Sequence, residues 1–133
     1  MSIQRLNPGG LFQSPAFSQA VVTRGPGRTI YVGGQNAVDA QGQLVGPDDL
    51  AAQTRQALLN VQTALAAAGA GWNEVVRLGI YLVQGQDVQA GFRAAQEVMG
   101  PSAAPPTITV LFVAALGRPE YVVEIEATAF VEG

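Results

Sequence analysis

Apolar residues recur along this chain with two different periods, and the switching between them predicts its elements. Over residues 47–68, Leu50, Ala57, Leu58, Val61, Leu65 and Ala68 fall on one helical stripe. Pro47, Asp48 and Asp49 suit the first turn, where carboxylates meet the positive end of the helix dipole, and Gly69 suits the stop. Residues 87–100 read as a second helix, closed by Gly100 and Pro101. Between the helices, residues 73–83 alternate as a strand does, with Val76, Leu78, Ile80 and Leu82 on one side. Upstream, residues 18–24 and 28–34 are short apolar runs separated by Gly25, Pro26 and Gly27, which predicts a hairpin. Residues 105–117 and 121–131 supply two final strands, expected to form a second hairpin that turns around Leu116–Arg118. A further strand is expected near Ile3–Leu6.

That order (hairpin, helix, strand, helix, hairpin) predicts an α+β sandwich with both helices on one face of the sheet. No repeat, charge block or low-complexity linker divides residues 1–133, so one domain is expected. The other sheet face is left without cover and is expected to be apolar. Composition adds to this picture: 48% of residues are hydrophobic and 13% charged, so the surface is poor in charge. A partner subunit with buried faces is the expected consequence.

Charge and missing residue types narrow the chemistry. The net charge is −3 and all seven basic residues are scattered arginines, which argues against nucleic acid as a partner. No apolar run approaches the roughly 20 residues that cross a bilayer. A basic segment followed by an apolar stretch is missing at the N-terminus, so a cytoplasmic protein without a membrane partner is expected. Histidine, cysteine and lysine are all absent. That removes imidazole bases, His-rich metal sites, thiolate nucleophiles, iron–sulfur clusters and Schiff bases. No metal or cofactor is expected.

Candidate residues are few. In the last strand, period two puts Glu124, Glu126 and Thr128 on one side, opposite Val123, Ile125 and Ala127. The expected terminal hairpin would set Ile108 across from Glu124 to Glu126, facing a carboxylate with an aliphatic side chain. Glu126 is read as an inert carboxylate on the solvent side of an edge strand. The Gly33–Gly34 pair could offer backbone N–H groups to a ligand, or mark a bulge. Asp39 reads as a turn residue. Tyr31, Tyr81 and Tyr121 read as packing residues, and Trp72 as a core or interface anchor.

Four stretches, "SPAFSQAV" (14–21), "YVGGQ" (31–35), "NVQTALAAAGAGWNEVVRLGIYL" (60–82) and "VVEIEATA" (122–129), stand in the order and spacing of one family. Together they resemble the Rid (reactive intermediate deaminase, YjgF-type) proteins over nearly the whole chain. The resemblance implies a chorismate-mutase-like mixed sheet and a homotrimer with clefts between subunits. In members that hydrolyse enamines and imines, an arginine near the start of the penultimate strand binds the substrate carboxylate. The first glutamate of "EIEA" helps to position the attacking water. Carried over, the glutamate is Glu124 and the arginine position is Ile108. Phe17 stands where the family often has tyrosine, Phe92 about where it offers asparagine, and Val110 where cysteine is frequent.

These departures imply an apolar cleft of Phe17, Gly33, Gly34, Phe92, Ile108 and Val110 around Glu124. A carboxylate removed from water without a cation is expected to titrate above its ordinary range, unless Arg24, Arg77 or Arg118 reaches it. Loss of a buried bidentate arginine–carboxylate contact costs roughly 2–5 kcal/mol of binding. The expected function is a homotrimer binding a neutral or cationic small metabolite without imino-acid deamination. The competing expectation is a hydrolase, deaminase or tautomerase of enamine or imine compounds in which Glu124 activates water.

Overall fold

The computed structural model describes residues 2–101 and 104–133. Its elements, in chain order, are β1 (Ile3–Leu6), β2 (Ala20–Thr23), β3 (Gly27–Gln35), α1 (Leu50–Ala67), a short 3-10 turn (Trp72–Glu74), β4 (Val75–Val83), α2 (Val88–Met99), β5 (Thr107–Val113) and β6 (Val123–Glu132). Four strands form one mixed sheet in the order β3-β6-β4-β5. β6 runs antiparallel to both β3 and β4, whereas β5 runs parallel to β4. β1 and β2 form a separate two-stranded ribbon.

The helices form where the periodicity places them, and local chemistry sets their ends. Asp49 caps α1 by accepting from the Ala52 N–H at 3.1 Å, and Asp87 caps α2 by accepting from the Ala90 N–H at 3.3 Å. Pro47 and Asp48 therefore precede α1, where the sequence had placed them in its first turn. Gly69, at φ 81°, reverses the chain after α1 in a conformation a side chain would resist. α1 lies against β3, β6 and α2. Its stripe of Leu58, Val61 and Leu65 is buried on Leu78, Val123, Ile125, Ala127 and Ala129 of the sheet. Burying that much aliphatic surface is the main stabilising term in the fold.

Both expected hairpins are absent. β2 reverses into β3 through Gly25 and Pro26 but pairs with β1, while β3 pairs with β6. At the other end, β4 inserts between β5 and β6. The connection after β5 straddles the end of β4, where Gln84 N–H donates to Val113 O at 3.3 Å and Val83 N–H to Val122 O at 3.0 Å. Period-two alternation tells which face a residue occupies but not which strand lies beside it. β4 takes the inner place because it buries Val75, Leu78, Gly79 and Leu82. An irregularity between Val75 and Arg77 puts Val75, not Val76, into the core.

Two further corrections follow from this order. Ile108 stands across from Leu78, and Glu124 across from Tyr81, so the expected Ile108–glutamate pairing does not occur. β6 is an inner strand, so Glu126 is not on an edge. The sheet face away from the helices carries Tyr31, Arg77, Tyr81, Thr109, Leu111, Glu124, Glu126 and Thr128, and is largely polar and aromatic, with Leu111 its aliphatic exception, where an apolar face was expected. β5 carries three consecutive exposed apolar side chains, Val110 and Phe112 toward the helix side and Leu111 toward the other, at 44%, 54% and 48% exposure.

Candidate functional site

The sheet divides the candidate residues between its two sides. Phe17, Phe92, Ile108 and Val110 come together on the helix side, in a groove of about 780 Å³ between α2 and the β4–β5 edge. Even-numbered residues of β5 face this way, because Ile108 is in register with the buried Leu78. α2 contributes Phe92, Ala95, Gln96 and Met99 at helical spacing. Pro15, Ala16, Pro105, Pro106 and Trp72 also line the groove. The Trp72 indole donates to Gln62 Oε1 at 2.9 Å, which fixes the ring. Among the described residues lining the groove, none carries a charge.

Glu124, Gly33 and Gly34 lie elsewhere, on the polar face and its β3 margin. The Val32–Gln35 register shift against β6 makes Gly33–Gly34 a β-bulge, the structural alternative weighed for that pair. Any Cβ on Gly34 would collide with the Glu124 carboxylate, so the glycine makes room for it. Asn36 Nδ2 donates to Glu124 Oε1 at 3.3 Å and to Val123 O at 3.1 Å. Asn36 is itself held by α1, since Asn60 Nδ2 donates to Asn36 O at 3.0 Å and to Val38 O at 2.9 Å. Asn60 in turn accepts from Gln56 at 2.9 Å. This amide relay from α1 positions the carboxylate, and sequence spacing carried no sign of it.

Beside Glu124, Glu126 accepts from Arg77 Nη1 at 2.9 Å and from the Tyr81 hydroxyl at 3.2 Å. Glu126 is therefore partnered instead of inert, and Tyr81 donates as well as packs. Gly79 leaves room for Glu126 to lie across the sheet, since a Cβ there would come within 2.9 Å of Glu126 Cγ. The hydrogen bond to Glu126 raises the Arg77 pKa above the ordinary arginine value. The other two arginines weighed as partners for Glu124 are engaged elsewhere: Arg24 with Gln4 at 3.3 Å and Arg118 with Glu120 at 3.0 Å. Asp39 is the turn residue expected, accepting from Gln41 and Gln43 N–H at 2.9 and 3.0 Å. Among the described residues, no group of three or more acidic side chains is placed to hold a metal ion, and no helix is long and apolar enough to cross a membrane.

Sequence reasoning missed two buried anchors. Gln53 is fully buried in α1; its amide donates to Gly46 O and Glu120 O at 3.2 and 3.0 Å and accepts from Val122 N–H at 3.0 Å. Ser18, 2% exposed, donates to the carbonyls of Pro105 and Pro106. A polar residue on the apolar stripe of α1 was the available sign for Gln53. Nothing local marked Ser18.

Comparison with known proteins places the chain among relatives. The family model described as Endoribonuclease L-PSP matches residues 12–131. A RutC family protein of Pyrococcus horikoshii is 30% identical over 116 residues, covering 87% of each chain. The bovine 2-iminobutanoate/2-iminopropanoate deaminase is 42% identical over 72 residues, covering 53% of this chain and 50% of that one. Among solved structures, the Rid family protein of unknown function YyfB of Yersinia pestis superposes with a TM-score of 0.86 at 37% identity, covering 98% of this chain and all of that one. Escherichia coli TdcF with bound serine gives a TM-score of 0.70 at 25% identity, covering 83% of this chain and 91% of that one.

Proposed function

The chain belongs to the Endoribonuclease L-PSP family, the Rid group of proteins, and from that premise we propose that it binds an uncharged or cationic small metabolite in clefts between copies of itself. The observation that carries this reading is the groove of Phe17, Phe92, Ile108 and Val110, whose described lining has no charged side chain. A pocket of this size with apolar walls suits a ligand whose body is apolar. A carboxylate entering it would lose its water and meet no guanidinium, because Ile108 occupies the position that the Rid resemblance gives to arginine. The serine bound to TdcF and the imino acids in the name of the bovine deaminase both bear such a carboxylate. In this chain that feature counts against binding.

Glu124 lies on the far side of the sheet from the groove, so a single chain cannot bring both to one ligand. A cleft containing both requires Glu124 from a second copy, which accords with a trimer. In that arrangement the groove holds the apolar body, and the carboxylate holds an N–H or a positive nitrogen.

A second reading has its own support. Asn36 fixes Glu124 Oε1, and Asn60 fixes Asn36. An oriented carboxylate can accept a proton from water as the water oxygen adds to the carbon of a C=N bond. Glu124 returns that proton to the nitrogen, then passes it the proton of the added hydroxyl as the C=O bond forms, so that the C–N bond breaks and ammonia leaves. Binding to RNA is disfavoured by the net charge of −3, with Arg55, Arg77 and Arg118 already paired to glutamates.

Ammonia release from 2-iminobutanoate, generated in place by an amino-acid oxidase, tests the proposal. The wild-type chain is expected to give the background rate, and Ile108→Arg to raise it. Wild-type release that Glu124→Ala abolishes would overturn the reading and install the hydrolase.

A further inference from the structure

The groove has one wall that the rest of its frame does not supply. Phe17, with Pro15 and Ala16, comes from the 7–19 connection between β1 and β2, whereas the other walls come from α2, the 3-10 turn and the β4–β5 edge. The first half of that connection is stapled to itself. Gln13 Nε2 lies 3.3, 2.9 and 3.1 Å from the carbonyls of Asn7, Pro8 and Leu11, and Gln19 Nε2 donates to Phe12 O at 2.7 Å. Residues 14–17 are different. Their one local bond is Ala16 N–H to Ser14 Oγ at 3.1 Å, and among the described residues they make no hydrogen bond to a distant part of the chain.

Ser18 makes up for that. Its N–H donates to Pro106 O at 2.9 Å and its hydroxyl to Pro105 O at 2.6 Å, just ahead of β5. Two consecutive prolines present carbonyls with no N–H between them to compete, so one serine takes both acceptors. Ser18 is 2% exposed, so water does not readily replace either bond. The residue before it, Phe17, and the residues after its acceptors, Ile108 and Val110, all line the groove.

We infer that Ser18 is a positioning residue that latches Phe17 over the groove and thereby sets the groove's affinity for an apolar ligand. This rests on the reading that the groove is a ligand site. The aromatic wall is held by one buried side chain and one backbone group instead of by packing on all sides. Removing the hydroxyl leaves the part-buried Pro105 O without its partner, and residues 14–17 then relax away from β5. The ligand loses the Phe17 surface while α2, Trp72 and β5 keep theirs.

The chain's single tryptophan, Trp72, lies in the same groove and reports on it directly. Two measurements on the full chain, wild type and Ser18→Ala, separate the latch from the reading beneath it. The first is acrylamide quenching of Trp72 without ligand, expected to rise in Ser18→Ala at unchanged far-ultraviolet circular dichroism. The second is the dissociation constant for phenylacetamide from Trp72 emission. It is expected to rise about three- to tenfold in Ser18→Ala, the scale of one lost hydrogen bond. Phe17→Ala, which keeps the serine, is expected to match that loss of affinity. Unchanged quenching in Ser18→Ala overturns the latch whatever the ligand does, as does unchanged affinity where the wild type binds. A wild type that does not bind phenylacetamide, with quenching raised in Ser18→Ala, overturns the ligand reading and leaves the latch as a structural one.

Discussion

β5 and β6 are built from similar apolar residues and end up in opposite circumstances. β6 lies between β3 and β4, buries Val123, Ile125, Ala127 and Ala129 under the helices, and gives Glu124 and Glu126 partners on the other face. β5 is an edge strand with no charge and three consecutive large residues near half exposure. Edges are ordinarily defended by charges, prolines or bulges, and β5 has only Pro105 and Pro106 ahead of it. The lesson is that a strand empty of charge need not be a core strand. Here it is a half-exposed edge, which the proposed function would cover with ligand on its groove side and with another copy of the chain.

The largest test of that contrast is in the core. Ile125→Ala is expected to cost about 2–4 kcal/mol in urea unfolding, while Val110→Ala costs less than about 1 kcal/mol, because only the first leaves a sealed cavity. Equal losses would mean that β5 is as well covered as β6 within one chain. Next is the anchor at the start of β6. Gln53→Ala would leave Val122 N–H, Glu120 O and Gly46 O without that amide, and is expected to cost about 2–3 kcal/mol, read by the same unfolding.

The smallest effect belongs to the polar face. Arg77→Met is expected to cost less than about 1 kcal/mol, and less still in high salt, since the Arg77–Glu126 pair is part exposed. Its pH dependence has a definite sign. The hydrogen bond to Glu126 raises the Arg77 pKa, so the stabilisation is complete below the ordinary arginine pKa and fades only as pH climbs through the raised one. Between neutrality and mild alkali the wild-type and Arg77→Met curves should stay parallel.

Much of the fold was legible because periodicity is a local property. The two helices, the face assignments in β6 and in β4 beyond its irregularity at Val75–Arg77, and the β1 strand could be read residue by residue. Strand neighbours could not, because insertion of β4 between β5 and β6 depends on how all the elements pack together, a property of the whole assembly of elements. The same limit governed the site. Phe17, Phe92, Ile108 and Val110 do gather, since all four lie on the helix side. Glu124 was linked to them through a pairing that the sheet order excludes. Its neighbours Asn36 and Asn60 are unremarkable amides in sequence and become visible only when α1 folds over the 36–49 connection.

The central claim is that the groove beside Ile108 accepts an apolar body and refuses an acid. Titrating the wild-type chain with phenylacetamide and phenylacetate, which share one body and differ in charge, and following Trp72 emission, tests it most directly. The account predicts that the amide binds about tenfold or more tightly than the acid, and that Ile108→Arg narrows or inverts the difference. Phenylacetate binding to the wild type as tightly as the amide would contradict it.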